Sequence, residues 1–240
     1  MNPHLSYQIL PLGDAALTID FGNLIDESIN KKIIALFHKL QHNPIRGMVE
    51  AVPAYSSLTI YYDLISLYKK VPDGKTVYEW MKDQTENFLK EKTEIEIKEE
   101  TSVIIPVCYD KEFASDIDHI AGQKNISPEE IVQIHTSGSY RVYMLGFLPG
   151  FAYMGEVNDI ISIPRKPTPQ NVIAGSVGIA GKQTGVYPLN SPGGWQIIGR
   201  TPVKMFDKEK KEPTLVKAGD IVRFTSIRKD EFENIKNWNS

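Results

Sequence analysis

A single cysteine, Cys108, stands among the 240 residues, so no disulfide can close within the chain and no cysteine-based zinc cluster can be built. It lies in the apolar run SVIIPVCYD, where a buried structural thiol is expected rather than a nucleophile. Long apolar runs are missing as well, and no segment approaches the roughly 20 residues that cross a bilayer. The opening MNPHLSYQIL has neither the basic stretch nor the apolar core of a signal peptide. The chain therefore reads as cytoplasmic, with no membrane role. Nor is either charge in excess: 27 basic and 30 acidic residues leave a net charge of −3, which offers no field for nucleic acid.

Clustered catalytic side chains are also scarce. The five histidines are scattered. His38 and His42 have the i, i+4 spacing of a metal pair, but no glutamate completes an H-E-x-x-H pattern. His4 and His119 stand alone. His135 ends a helical run, where the helix dipole favours a charged imidazole and no catalytic role is required. A G-x-S-x-G elbow is absent. Spacing alone assembles no metal site and no nucleophilic triad.

What the sequence does have is glycine, concentrated in AGSVGIAGKQTGVYPLNSPGGW, residues 174 to 195. A phosphate loop, G-x-x-x-x-G-K-[ST], needs a glycine five residues before Gly181, and Ser176 stands there. Gln183 follows Lys182 where a hydroxyl is required, and Gly185 and Pro188 oppose the helix that such a loop must open. Short strands, Val172 to Ala180 and Trp195 to Ile198, joined by glycine turns fit the segment better. Gly175, Gly178, Gly181, Gly193 and Gly194 then serve backbone shape.

The chain has two grammars. SYQILPLG and AALTIDFG read as strands around a turn at Gly13-Asp14. Ile29, Ile33, Leu36, Phe37 and Leu40 line one face of a helix that starts after Asp26 and ends near Asn43-Pro44. GMVEAVPAY and SLTIYYD return to strands, with Pro53 marking an edge or bulge. Val77, Trp80, Met81 and Phe88 line a second helix, and KEKTEIEIKEE, residues 90 to 100, reads as a solvated linker or edge strand. This is a compact α/β domain over residues 1–95. Over 96–240, a strand at TSVIIPVCY precedes two short helices, the second opened by Ser127, Pro128 and Glu130 as cap, first turn and capping-box partner. Then YRVYMLGF, VIAGSVGIAG, WQIIGR, VKMFD and GDIVRFTSI alternate with turns, as in a closed or nearly closed barrel. The fold class is α+β.

One constellation remains. RVYMLGFLPGFAYMGE gathers Phe147, Phe151 and Tyr153 about Pro149-Gly150, in a loop too polar in backbone to bury every ring. Arg141, Arg165, Lys166 and Arg200 offer cations for a carboxylate. Two readings stand side by side: a groove wall for a partner or small acid, or rings that cap a barrel beside surface ion pairs.

YRVYMLGFLPGFAYMG and AGSVGIAGKQTGVYPLNSPGGWQIIGRTPVKMFD resemble the B subunits of bacterial ATP-dependent 5-oxoprolinases, formerly described as allophanate hydrolase subunit 1. LGDAALTIDFGNLID and VEAVPAYSSLTIYYD extend the resemblance over nearly the whole chain. It implies a small N-terminal α/β sandwich domain followed by a cyclophilin-like β-barrel domain, and partnership with subunits C and A in a complex that uses ATP to open 5-oxo-L-proline to L-glutamate. ATP is used by the complex, and the resemblance does not tell which subunit holds it. A family member also inhibits sporulation histidine kinase A, which implies a contact with the kinase dimerisation domain. The functional face implied is Arg141, Phe147, Phe151, Tyr153, Arg165, Gln183, Tyr187, Trp195 and Arg200. Gln170 stands where the family commonly has arginine, and Ile173 where it commonly has proline.

Overall fold

In the computed structural model the described residues are 6–91 and 101–238. The chain divides into two compact units, Met1–Glu99 and Glu100–Ser240. The boundary expected near residue 95 and most of KEKTEIEIKEE lie outside the described residues, as does His4.

The first unit is an antiparallel sheet packed against two helices. Its elements are β1 (Gln8–Pro11), β2 (Ala16–Asp20), α1 (Glu27–His42), β3 (Met48–Pro53), β4 (Ser57–Tyr62), α2 (Leu64–Tyr68) and α3 (Val77–Lys90), with strand order β1-β2-β4-β3. The Asp26 carboxylate caps α1 by accepting the Ile29 N–H at 3.0 Å. Thr76 and Glu79 close a capping box on α3. Ile33 and Leu40 of α1 and Met81 of α3 then reach the face of the sheet that carries Leu17, Ile19, Leu58 and Ile60, all excluded from solvent. Pro53 ends β3, an edge strand, where a missing N–H costs no ladder bond. The sequence does not announce α2, because five residues with one buried side chain, Leu67, are too short to display a period.

The second unit comprises β5 (Ser102–Val107), α4 (Ile117–Lys124), α5 (Pro128–Ser137), β6 (Tyr140–Leu145), β7 (Ala152–Gly155), β8 (Gln170–Val172), β9 (Ser176–Ala180), β10 (Gln183–Val186), β11 (Ser191–Gly193), β12 (Gln196–Arg200), β13 (Ile221–Ser226) and α6 (Lys229–Trp238). Seven strands form one sheet in the order β12-β9-β10-β7-β6-β13-β5. Cys108 follows β5 and Arg200 ends β12. These two residues exchange backbone hydrogen bonds of 2.8 and 2.9 Å, so the outer strands of the sheet meet and the sheet curls into a nearly closed, cyclophilin-like barrel. Ser127 and Glu130 form the expected capping box at the start of α5.

Two expectations from the sequence need correction. Val172 to Ala180 is not one strand: Val172 ends β8, which pairs with β11 in a separate two-stranded ribbon, whereas β9 begins at Ser176. Gly175, at φ +86°, turns the chain between them. VKMFD forms no strand, and Phe206 makes only an isolated bridge to Thr214.

Candidate functional site

Alternation along the strands builds two layers. Val177 and Ile179 of β9, Val186 of β10, and Ala152 and Met154 of β7 fill the barrel interior. The residues between them face outward, where Phe151, Tyr187 and Trp195 make a second cluster with Val172, Ala180 and Ile197. Phe151 sits edge-on to Tyr153 at 4.9 Å, to Tyr187 at 5.2 Å and to Trp195 at 5.3 Å between ring centroids. Each such pair contributes about 0.5–1.5 kcal/mol beyond the area it buries. The rings fill the space they enclose: Phe151 and Tyr187 are 1% exposed and Trp195 4%. The three rings pack against one another and are excluded from solvent.

Phe147 is different. It is 63% exposed, edge-on to Phe151 at 5.7 Å, and its φ is +69°. The Leu148 N–H donates to the Gly146 carbonyl at 2.9 Å across it, which defines a three-residue turn of the rare positive-φ type. The next turn follows at once, the Phe151 N–H donating to the Leu148 carbonyl at 2.9 Å with Pro149 and Gly150 (φ +81°) at its centre. Gly150 is required twice over, since a Cβ there would lie 2.7 Å from that of Phe206. The loop thus holds an aromatic ring in solvent at a backbone angle that side-chain-bearing residues rarely adopt. Arg165, also exposed, lies with its guanidinium carbon 5.9 Å from the Trp195 ring. Lys166 next to it pairs with Asp116 at 2.6 Å in a largely buried ion pair.

Of the other residues expected on the functional face, Arg141 and Arg200 lie apart from this cluster, and Gln183 borders it. Arg141 is buried, 5% exposed, and donates to the Gly219 carbonyl at 3.5 Å. Gln183 opens β10, opposite Gly155 of β7 and Ala180 of β9. Arg200 borders a cleft of about 270 Å³ with Gly175, Pro188, Val203, Lys204, Met205 and Phe232. The structure brings Phe147, Phe151, Tyr153, Arg165, Tyr187 and Trp195 together, with Gln183 on the same face of β10 as Gly185 and opposite Ala180 of that cluster, whereas Arg141 and Arg200 lie elsewhere. Sequence reasoning misses Lys204, which lies in a run read as a strand, and Phe232, which lies on the C-terminal helix α6 that the sequence reading did not assign.

His135 also departs from expectation. It is wholly buried, stacked on Phe224 and Tyr140, and burial pushes its pKa down to about 3. It is a neutral imidazole rather than a charged helix cap. The Thr184 hydroxyl donates to the Gly178 carbonyl at 3.1 Å, so it accepts from His135 Nε2–H at 3.0 Å. Nδ1 is left to accept the Tyr109 hydroxyl at 2.8 Å. Every polar atom of the ring is satisfied within the barrel, as a structural histidine requires. Burial likewise raises the Cys108 pKa, which suits the inert thiol expected. Among the described residues no cluster of three or more His, Cys, Asp or Glu side chains could hold a metal ion. No helix among them is long and apolar enough to cross a membrane.

The sequence signature described as "Carboxyltransferase domain, subdomain C and D" matches residues 7–216. The chain is 44% identical to the B subunit of the 5-oxoprolinase of Bacillus subtilis, over 96% of this chain and 97% of that one. A conserved uncharacterized protein from Pyrococcus horikoshii, PH0987, is 41% identical over 94% of this chain and 100% of its own, with a TM-score of 0.54. The solved structure of TTHA0988 superposes with a TM-score of 0.73 at 34% identity, covering 89% of this chain and 40% of that longer one.

Proposed function

The chain belongs to the family of carboxyltransferase domains, subdomains C and D, and from that premise we propose that it is the B subunit of an ATP-dependent 5-oxoprolinase. The observation that carries this reading is the end-to-end match to the B subunit of a bacterial 5-oxoprolinase, in which almost all of both chains take part. In the proposed reaction, 5-oxo-L-proline is opened to L-glutamate by a complex of this chain with subunits A and C. A lactam carbonyl is a poor electrophile. Phosphorylation of its oxygen by ATP, with release of ADP, makes a centre that water attacks; the C–N bond then breaks, the nitrogen taking a proton, and a second water hydrolyses the resulting acyl phosphate to the carboxylate and phosphate. Nothing in this sequence builds a phosphate loop, so ATP is assigned to the complex rather than to this chain.

The site chemistry is consistent with a subunit that binds and positions. Among the described residues the exposed candidates are a ring, Phe147, and a cation, Arg165, with Arg200 half-buried. In this reading Phe147 and Arg165 contact a partner subunit, and Phe151, Tyr153, Tyr187 and Trp195 hold the surface from which they project. Glutamate release from 5-oxo-L-proline and ATP by purified subunits A and C, with and without this chain, tests the reading. Activity that appears only with the chain supports it, and activity unaffected by the chain rejects it.

The sequence resemblance also implies inhibition of sporulation histidine kinase A. The exposed ring of Phe147 offers such a partner an aromatic contact. Unchanged kinase autophosphorylation in the presence of the chain would reject this second role.

A further inference from the structure

The cleft beside Arg200 has walls and a cation that the Phe147 surface does not use. Its volume, about 270 Å³, lies just below the usual range of small-molecule sites, about 300–1,000 Å³. That suits a ligand the size of one amino acid and is too small for a nucleotide. Pro188, Val203, Met205 and Phe232 supply apolar walls, and Met205 and Phe232 are themselves buried.

Arg200 is held as a binding group is held. Its backbone makes both hydrogen bonds of the barrel closure with Cys108. Its Nε donates to the Ala174 carbonyl at 2.9 Å, and its guanidinium carbon stands 6.0 Å from the Phe232 ring centroid. Among the described residues no carboxylate pairs with it. One edge of the fork is therefore anchored and the terminal nitrogens remain for a planar anion, which guanidinium binds with two parallel hydrogen bonds. Lys204 lines the same cleft, is exposed, and forms no ion pair among the described residues. Gly175 completes the floor: a Cβ there would sit 2.4 Å from the Thr201 carbonyl oxygen.

We propose that this cleft binds a small monocarboxylic acid with a compact apolar body, its carboxylate on the Arg200 guanidinium with Lys204 beside it, and that the acid is the lactam substrate. The identity of the acid rests on the 5-oxoprolinase reading, whereas the carboxylate chemistry rests on the cleft alone. One free cationic fork, a second cation and a short apolar wall select the carboxylate end of the acid and leave its lactam carbonyl for chemistry supplied elsewhere in the complex.

The test is titration calorimetry of the full chain with 5-oxo-L-proline, with L-proline, and with 2-pyrrolidinone, the same ring without a carboxylate. The chain is expected to bind 5-oxo-L-proline, and to bind 2-pyrrolidinone at least tenfold more weakly. Arg200→Gln should weaken acid binding at least tenfold, and Lys204→Gln a few-fold, both variants remaining folded with cooperative melting. Equal binding of the acid and 2-pyrrolidinone, or acid binding unaltered in both variants, overturns the proposal. So does the absence of acid binding at millimolar concentration. If glutamate release still depends on the chain in that last case, the cleft is wrong and the subunit reading survives. If the chain binds L-proline through Arg200 but supports no glutamate release, the cleft stands and the subunit reading falls.

Discussion

Gly178 and Gly185 face each other across β9 and β10, and the space left by their missing side chains is occupied by Trp195 and Phe151. A Cβ on Gly178 would lie 3.0 Å from that of Trp195. One on Gly185 would lie 2.9 Å from the Ala152 carbonyl oxygen and 3.0 Å from the indole ring. The pair is a flat floor on the outside of the barrel, and the aromatic layer rests on it.

Gly185→Ala should accordingly destabilise the protein by about 1–3 kcal/mol, the ordinary cost of overpacking, because the carbonyl on one side is backbone and cannot swing away. Gly194→Ala is the control. Its nearest neighbour would be the Lys166 carbonyl oxygen at 3.4 Å, an ordinary contact, so the change should stay within about 0.5 kcal/mol. Chemical denaturation of the two variants against the parent reads the difference, and equal effects would reject the floor.

Much of this architecture is legible in the sequence, but not its meaning. Helix α1 is visible because its apolar residues recur on one face after a capping aspartate, and α5 because Ser127, Pro128 and Glu130 spell its start. The strand QTGV of β10 is invisible, since it has no alternation of its own and is held by pairing with β9 and β7. The glycines of residues 174–195 could be read as backbone devices, yet Phe151, which fills the space above them, comes from a distant segment. The Arg200 cleft is hidden for the same reason: residues near 175, 188, 203 and 232 meet only once the barrel closes at Cys108.

The buried His135 gives a pH dependence with a definite sign. Its pKa of about 3 in the folded chain lies below the ordinary 6.5. Between these values the unfolded chain takes up a proton that the folded chain refuses, so stability is full above about pH 6.5 and declines as the pH falls towards 3. The decline from this one group cannot exceed about 1.4 kcal/mol per pH unit. Urea denaturation between pH 7 and pH 4 should show it, and His135→Gln, less stable at neutral pH, should lose that share of the slope. An unchanged slope in the variant would contradict a neutral, buried imidazole.

The Asp116–Lys166 pair ties the start of α4 to the loop before β8. Both side chains are largely buried, 15% and 12% exposed, at 2.6 Å. Asp116 also accepts the Ile197 N–H at 2.6 Å, while Lys166 keeps the Gln170 side chain at 3.0 Å. Asp116→Ala therefore strands a buried N–H as well as a cation and should cost about 2–4 kcal/mol, against about 1–2 for Lys166→Met. A double-mutant cycle should return a coupling of about 1–3 kcal/mol. Additive losses would mean that the two groups do not act as a pair.

Phe147 separates stability from association. An exposed ring at φ +69° contributes little to the core and occupies a backbone region disfavoured by about 1–2 kcal/mol for a residue with a Cβ. Phe147→Gly relieves that cost and loses some of the gain to the flexibility of glycine in the unfolded chain, so its melting behaviour should match or slightly exceed the parent's. In the proposed complex its affinity for subunits A and C should nevertheless fall about tenfold or more, as expected when an interface loses an aromatic anchor. Phe147→Tyr keeps the ring and should restore most of the affinity. Analytical ultracentrifugation of the mixed subunits measures both. Undiminished assembly by the glycine variant would remove Phe147 from the partner surface and leave its unusual backbone angle without a functional account.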